Sequence, residues 1–434
     1  MRRLTLFAAV AGLALSACGG PSPIDPHRQV GPNPYLPEIH QYLLPPMKVA
    51  PVIGWGAATP TVAAGLQIKP FATGLKNPRS LYVLPNGDVL AVETDGPPGP
   101  VKRPKEFIMN WIEKQAHSKV KASQRILLLR DADGDGVPEM RTVFLEHLNS
   151  PFGVVLVGSD LYVANTDGVM RYPYQTGDTR ITAPGVKLSD LPGGPIDHHW
   201  TKSLTASPDG TKLYAGVGSN SNITENGIQA EVGRASIWEI DRATGAHREF
   251  ATGLRNPNGL QFEPTTHVLW AVINERDELG PDLVPDYLTS VKEGAFYGWP
   301  YSYYGQHVDP RVRPQRPDLV KKAIPPDYAL SSHVAPLGMV FYTGENLPAV
   351  YRGGAFVGEH GSWDRTQFNG YKVVYVPFAN GRPSGMAQDV ATGFLAPGDK
   401  VHGRPVGLAV DAKGGLLIAD DVGGTVWRVT AAGG

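Results

Sequence analysis

One short phrase recurs six times along this 434-residue chain, and any fold must accommodate that recurrence first. The phrase is a Pro or its equivalent, one residue, usually a Gly or Ser, then alternating apolar residues. It reads Asn77-Pro78-Arg79-Ser80-Leu81, Ser150-Pro151-Phe152-Gly153-Val154, Trp200-Thr201-Lys202-Ser203-Leu204, Asn256-Pro257-Asn258-Gly259-Leu260, Ala335-Pro336-Leu337-Gly338-Met339 and Arg404-Pro405-Val406-Gly407-Leu408. Most copies lead to a turn signal such as Asn86-Gly87, Asp209-Gly210 or Lys413-Gly414. A second β-rich run follows, at 89–92, 161–164, 213–217, 268–273, 355–357 and 416–419. Such units cannot bury their faces alone, and short-strand repeats of this size predict a propeller with one four-stranded blade per copy. A β-sandwich has no reason to repeat one phrase. The expectation is an all-β, six-bladed β-propeller over residues 66–434, with the 425–429 run pairing with an N-terminal strand to close the ring. The 51 Gly and 40 Pro agree with frequent turns and exclude a long-helix protein. One insertion, Lys105–Lys121, is expected to be helical, because Phe107, Ile108, Trp111, Ile112 and Ala116 fall at helical spacing.

The N-terminus carries a second signal. Arg2 and Arg3 precede an apolar run from Leu4 to Leu15 that is too short to span a bilayer, and Leu15-Ser16-Ala17-Cys18 closes it with small residues. Residues 1–17 read as a lipoprotein signal peptide, with Cys18 as the lipidated mature N-terminus; ordinary cleavage nearby would instead give a soluble secreted protein. Residues 18–65 read as a Pro-rich tether and N-terminal extension, parts of which are apolar enough to lie along the body. An exported periplasmic or cell-envelope lipoprotein follows, touching membrane only through its anchor. Cys18 is the only cysteine, which excludes an intrachain disulfide and a thiolate zinc cage. A formal net charge of −1 offers no basic field for nucleic acid.

In a propeller the first strand of each blade lines the central channel, so residues just before the phrase gather at one mouth. They are Asn77, Asn149 with Ser150, His198 with His199, Arg255 with Asn256, His333, and His402 with Arg404. Loops after the second strands add Glu93, Asn165, Ser219 with Asn220, Asn274 with Glu275, Glu359 with His360, and Asp420 with Asp421. Solvated turns are polar too, but converging cations and imidazoles repel unless an anion sits among them. The expectation is an anionic ligand or cofactor with a base nearby. A lone loop histidine is ordinarily structural; its phase in the repeat singles out His199. Asn256 could equally bond neighbouring carbonyls, whereas the planar guanidinium of Arg404 suits bidentate carboxylate recognition. The segment 131–136, with Asp131, Asp133 and Asp135, resembles the opening of a calcium loop, but Thr142 stands where the closing Glu would be, so it reads as a hairpin turn with the option of structural calcium. A second oxygen-rich loop runs from Asn274 to Asp282. No Ser-His-Asp phrase, phosphate-cradling loop or nicotinamide fingerprint is present, which leaves another organic cofactor or none.

Four segments are more specific together than singly: Gly253 to Leu260, Gly280-Pro281 followed by Tyr297-Gly298-Trp299-Pro300, Glu359 to Arg365, and His402-Gly403-Arg404-Pro405. On these the sequence resembles the pyrroloquinoline quinone (PQQ)-dependent sugar dehydrogenases, the soluble glucose and aldose sugar dehydrogenase family, and looks most like its L-sorbosone dehydrogenase-like branch. The resemblance implies oxidation of a sugar or sugar aldehyde, with hydride transfer to PQQ and electrons leaving to a respiratory acceptor. It implies that His199 is the catalytic base and that Arg255 lies beside the reactive quinone carbonyl. Cofactor contacts would come from Asn220, Arg255, Asn256, His360, His402 and Arg404, and the main-chain carbonyls of Gly280 and Pro281 would hold calcium. This chain departs from the glucose-oxidising members in having His198 for an Asp, His402 for a second arginine, and His360 near a pocket lysine. The Ser219, Asn220 and Asn222 loop also differs. Two other readings stay open on the residues: a metal-dependent lactone hydrolase and a non-catalytic propeller binding module.

Overall fold

A computed structural model describes residues 24–42, 47–97 and 121–433. The second strands explain the architecture. Every residue of Val89–Glu93 and Leu416–Asp420 is buried, because both faces of each strand meet a neighbouring sheet. Val89 and Ala91 pack with Leu417 and Ala419, whereas Leu90 and Val92 pack with Leu161 and Val163 on the other side. The two-residue period of the pleat thus sends alternate side chains into two different interfaces.

Repeated around an axis, this arrangement gives the six blades formed by the described residues. The innermost strands are Pro78–Val83, Gly153–Val157, Leu204–Ala206, Asn256–Phe262, Pro336–Phe341 and Pro405–Val410, one for each copy of the phrase. We number the blades I to VI in that order. Apolar clusters fill the seams: Tyr162 and Leu213 between blades II and III, Ile237 and Ala271 between III and IV, Val272 and Val357 between IV and V, and Phe356 and Ile418 between V and VI. Blade VI takes its outermost strand, Leu66–Ala72, from the other end of the chain, paired along Thr425–Ala431. Ring closure is therefore as the sequence predicts, and the sheet leaves no open edge at the seam.

The phrase's small residue has a steric cause. Inner strands of adjacent blades meet backbone to backbone, so a Cβ at Gly407 would lie 2.8 Å from the carbonyl oxygen of Arg79 and the Cα of Ser80. A Cβ at Gly338 would overlap the carbonyl of Val406. Around the axis, Arg79, Phe152, Ser203, Gly259, Gly338 and Gly407 enclose a narrow cavity of about 80 Å³.

The N-terminal extension packs against the body. Val30–Gly31 pairs with Leu330 and Ala329 as a fifth strand of blade IV, and Thr61–Val62 with Thr392 and Ala391 in blade V. Buried Gln29 accepts from Ser332 Oγ at 2.6 Å, and the amide of His40 donates to Leu279 O at 2.8 Å. Trp55 Nε1 donates to Asp420 Oδ2 at 2.5 Å. These contacts draw the extension along the rim of the channel. The segment 131–136 forms the hairpin between Arg125–Arg130 and Met140–Leu145, with Asp131 Oδ2 accepting from the amide of Gly136. The expected signal peptide, Cys18 and the expected helix up to residue 120 lie outside the described residues; Lys121 is in no helix. Among the described residues no helix is long and apolar enough to cross a membrane.

The backbone contact at Gly338 yields a prediction. Gly338→Ala should destabilise the protein by about 1–3 kcal/mol, since the obstacle is a main-chain carbonyl rather than a movable side chain. A chemical-denaturation midpoint unchanged from the wild type would contradict the steric account.

Candidate active site

Antiparallel pairing sets the start of each inner strand beside the end of the second one: Pro78 opposite Glu93, Asn256 opposite Asn274, Pro336 opposite Glu359 and Pro405 opposite Asp420. The polar residues flanking both positions therefore share one rim.

His199 lies half-buried on that rim. Its Nδ1 is 3.0 Å from both the carbonyl oxygen and the Oγ of Ser219. The Ser219 hydroxyl donates to Ser221 O at 2.6 Å, so its oxygen can only accept from the imidazole. Both neighbours thus require a proton on Nδ1, which leaves the lone pair on Nε2. Burial, then Arg255 and His198, hold the ring's pKa well below that of an ordinary imidazole. Gly218 permits this placement, because a Cβ there would collide with His199 and would come within 2.6 Å of Asn256 Oδ1.

Arg255 stands beside it, with its carbonyl accepting from the amide of Ser219 at 2.9 Å. Its side chain is 2% exposed; NH1 donates to Glu275 O at 2.6 Å and NH2 to Asp277 Oδ2 at 2.7 Å, while Nε has no partner. Asp277 Oδ1 faces His333 Nδ1 at 3.2 Å, and His333 Nε2 faces Gly280 O at 3.2 Å. Burial opposes the charge on His333, yet Asp277, Asp364 and Asp286 raise its pKa to about 9, so both ring nitrogens donate. Burial likewise opposes the Asp277 carboxylate, but Arg255 and His333 keep its pKa at about 2. A carboxylate oxygen of Asp277, a ring nitrogen of His333 and a carboxylate oxygen of Asp364 lie within 4.8 Å of one another, but with both His333 nitrogens protonated only the two carboxylates have lone pairs for a metal. Asp364 is fully buried with Oδ1 unpaired. Hard carboxylate oxygens beside the carbonyl of Gly280 suit calcium. Pro281 is buried next to it.

The far side of the rim holds a basic cluster. Arg404 is 6% exposed, and its side chain meets Tyr371, with NH2 3.4 Å from the hydroxyl and the guanidinium 5.2 Å from the ring centroid. Its Nε is buried and unpaired. His360 Nε2 meets Asp421 Oδ2 at 2.9 Å, and Arg79 NH1 donates to the same oxygen at 2.7 Å. Burial drops the pKa of His360 to about 4, so it is neutral at pH 7 and donates one N–H. Burial also works against the Asp421 charge, but His360 first, then Arg79 and Arg404, hold its pKa well below the usual carboxylate range. Of the two buried guanidiniums only that of Arg79 bonds a carboxylate, which leaves Arg404 in an electrostatic setting for an anion.

The remaining expected residues divide. Asn256 is buried with Oδ1 unpaired, and Asn220 Nδ2 donates to Ala230 O at 2.8 Å while its Oδ1 is also unpaired. Both present free acceptors near the rim loops. His402 turns to the extension: Nδ1 donates to Gly54 O at 2.6 Å, and the ring stacks on Trp55 at 5.0 Å. Sequence reasoning passed over Arg79 and Asp364. Arg79 follows the Pro of the first phrase, where Phe152, Leu337 and Val406 stand in three other copies; a guanidinium at a position that is apolar in half of the copies was the available signal.

A family model described as TrAA12-like matches residues 118–285 and 316–432. A Borreliella burgdorferi protein described as uncharacterized is 30% identical over 294 residues, 65% of this chain and 76% of that protein. The iodide structure of a Trichoderma reesei carbohydrate-active enzyme of family AA12 is similar at a TM-score of 0.68 and 22% identity, covering 89% of this chain and 99% of that one. The holo form of the pyranose dehydrogenase PQQ domain from Coprinopsis cinerea has a TM-score of 0.68 at 20% identity, covering 88% and 100%. These structural likenesses establish the shared propeller. With well over half of its length matched by the family model, the chain belongs to the TrAA12-like family.

Proposed function

We propose that the protein is an exported quinoprotein dehydrogenase that oxidises a sugar or sugar aldehyde, of aldose or sorbosone type, using PQQ and calcium at the channel mouth. The observation that carries this reading is the buried guanidinium of Arg404, which lacks a carboxylate partner among the described residues, on the same rim as a histidine whose Nε2 lone pair is free. The holo pyranose dehydrogenase domain with the same fold supports the choice of quinone. A calcium structure of the Trichoderma reesei AA12 enzyme supports the choice of metal.

When bound, the quinone would accept hydride and calcium would polarise its carbonyl. The chain's own residues do the rest. His199 Nε2 takes the proton from the substrate hydroxyl or aldehyde hydrate, with Ser219 fixing the tautomer. Arg255, held by Glu275 O and Asp277, keeps positive charge where the reduced cofactor gains negative charge. Arg404 receives a cofactor carboxylate, and Asn220, Asn256 and His360 line the remaining rim. The carbonyls of Gly280 and Pro281, with Asp277 and Asp364 at hand, would hold the cation. Export with a lipid anchor at Cys18 would let the reduced cofactor pass electrons to a respiratory acceptor. The carboxylates of Asp277 and Asp364 beside the Gly280 carbonyl would also serve the metal of a metal-dependent hydrolase. Lactone hydrolysis without dye reduction would establish that reading instead.

The reading is tested by reconstituting purified protein with PQQ and calcium and following dye reduction across aldoses and sorbosone; inactivity on the whole panel would remove it. His199→Ala should lower kcat by about 10²–10⁴-fold while leaving the quinone absorbance in place. Retained turnover would remove the assigned base. Because only the unprotonated ring accepts a proton and its pKa is depressed, turnover should hold as pH falls through 6.5 and decline only below it. A kcat/KM profile whose acid limb is centred at or above 6.5 would contradict this.

A further inference from the structure

The cation that the sequence comparison expects from blade VI is missing at position 402. His402 spends Nδ1 on Gly54 O and its ring face on Trp55. A different arginine stands in the basic cluster. Arg79 belongs to the first inner strand, which neighbours the strand of Arg404 at the axis: a Cβ at Gly407 would touch the Arg79 carbonyl oxygen at 2.8 Å. Arg79 is 9% exposed and anchored by one donor, NH1, on Asp421 Oδ2. Its Nε is buried and unsatisfied, as is Nε of Arg404. The guanidinium lies 5.7 Å from the Trp200 ring centroid, next in sequence to His199. Asp421 is already shared with His360 and bonded by the amide of Val422 through Oδ1. Among the described residues no carboxylate bonds the Arg404 guanidinium, and the unused donors belong to groups that cannot lose their charge.

We propose that Arg79 and Arg404 form a carboxylate subsite spanning blades I and VI, and that Arg79 supplies from blade I the second arginine that His402 does not. The ligand class is an organic polycarboxylate, recognised by planar N–H edges in a pocket that excludes most water. The inference rests on the quinone reading, which makes PQQ, with its acidic groups, the occupant. It assigns Arg79 to ligand binding rather than to the support of Asp421 alone.

The test is a binding titration of quinone-free protein with PQQ, read by the absorbance of the bound cofactor, for the wild type, Arg79→Gln, Asp421→Asn and the double variant. Removing a charge-assisted, bidentate contact should weaken binding about tenfold to a hundredfold in Arg79→Gln. A comparable loss should persist when the change is made in the Asp421→Asn background. If Arg79 acts only by neutralising Asp421, the loss disappears in that background, and the subsite is overturned. Binding unchanged in Arg79→Gln overturns it as well. Wild-type protein that binds no PQQ removes the quinone reading and this inference together, whereas wild-type binding with indifferent variants removes only the inference. Circular dichroism checks folding; should Arg79→Gln fail to fold, Arg79→Lys, which keeps the charge but loses the fork, is expected to bind several-fold more weakly than the wild type, and equal binding overturns the proposal.

Discussion

Six inner strands packed backbone to backbone around one axis are the constraint on which the rest of this molecule depends. The contact of Gly407 with Arg79 and Ser80, and that of Gly338 with Val406, leave no room for a side chain at those two glycines, where inner strands touch. They also bring the N-terminal ends of all six inner strands to one rim. Because each second strand returns antiparallel, its last residue arrives at the same rim, and the polar residues of twelve chain segments converge. Apolar seams supply the stability; the rim is free to hold buried charge.

That buried charge is unevenly balanced, and the imbalance is the chemistry. Around Arg255 the charges close on one another through Asp277 and His333. Around Arg404 they do not, since Asp421 is bonded by Arg79 and His360, and among the described residues no carboxylate bonds the Arg404 guanidinium. Burying unpaired donors on permanent cations is costly unless a ligand completes them. Between these clusters, the tautomer forced on His199 by Ser219 aims a lone pair rather than a proton outward, as a base needs.

Much of the architecture was readable because it rests on local rules. Glycine or serine two residues after the phrase's Pro, and second runs such as Val89–Val92 that are apolar at every position, each record a packing environment that repeats. The phase of the repeat then located His199 and Arg255 beside each other. What escaped reading depends on contacts distant in sequence. Trp55 lies 347 positions from His402 and nevertheless stacks on it, so a segment rich in proline, read as tether, helps build the wall of the site. Asp364 reaches the cluster of Asp277 from another blade. Arg79 sits inside the phrase itself, where the pattern trains the eye on small and apolar residues.

The central claim is that this rim binds a quinone and lets a sugar reduce it. The most direct measurement is an anaerobic single-turnover experiment on protein loaded with PQQ and calcium, without any dye. The account predicts that an aldose or sorbosone converts the spectrum of the bound oxidised quinone to that of the reduced form in one stoichiometric phase. A bound quinone whose spectrum stays oxidised through the entire sugar panel would contradict it.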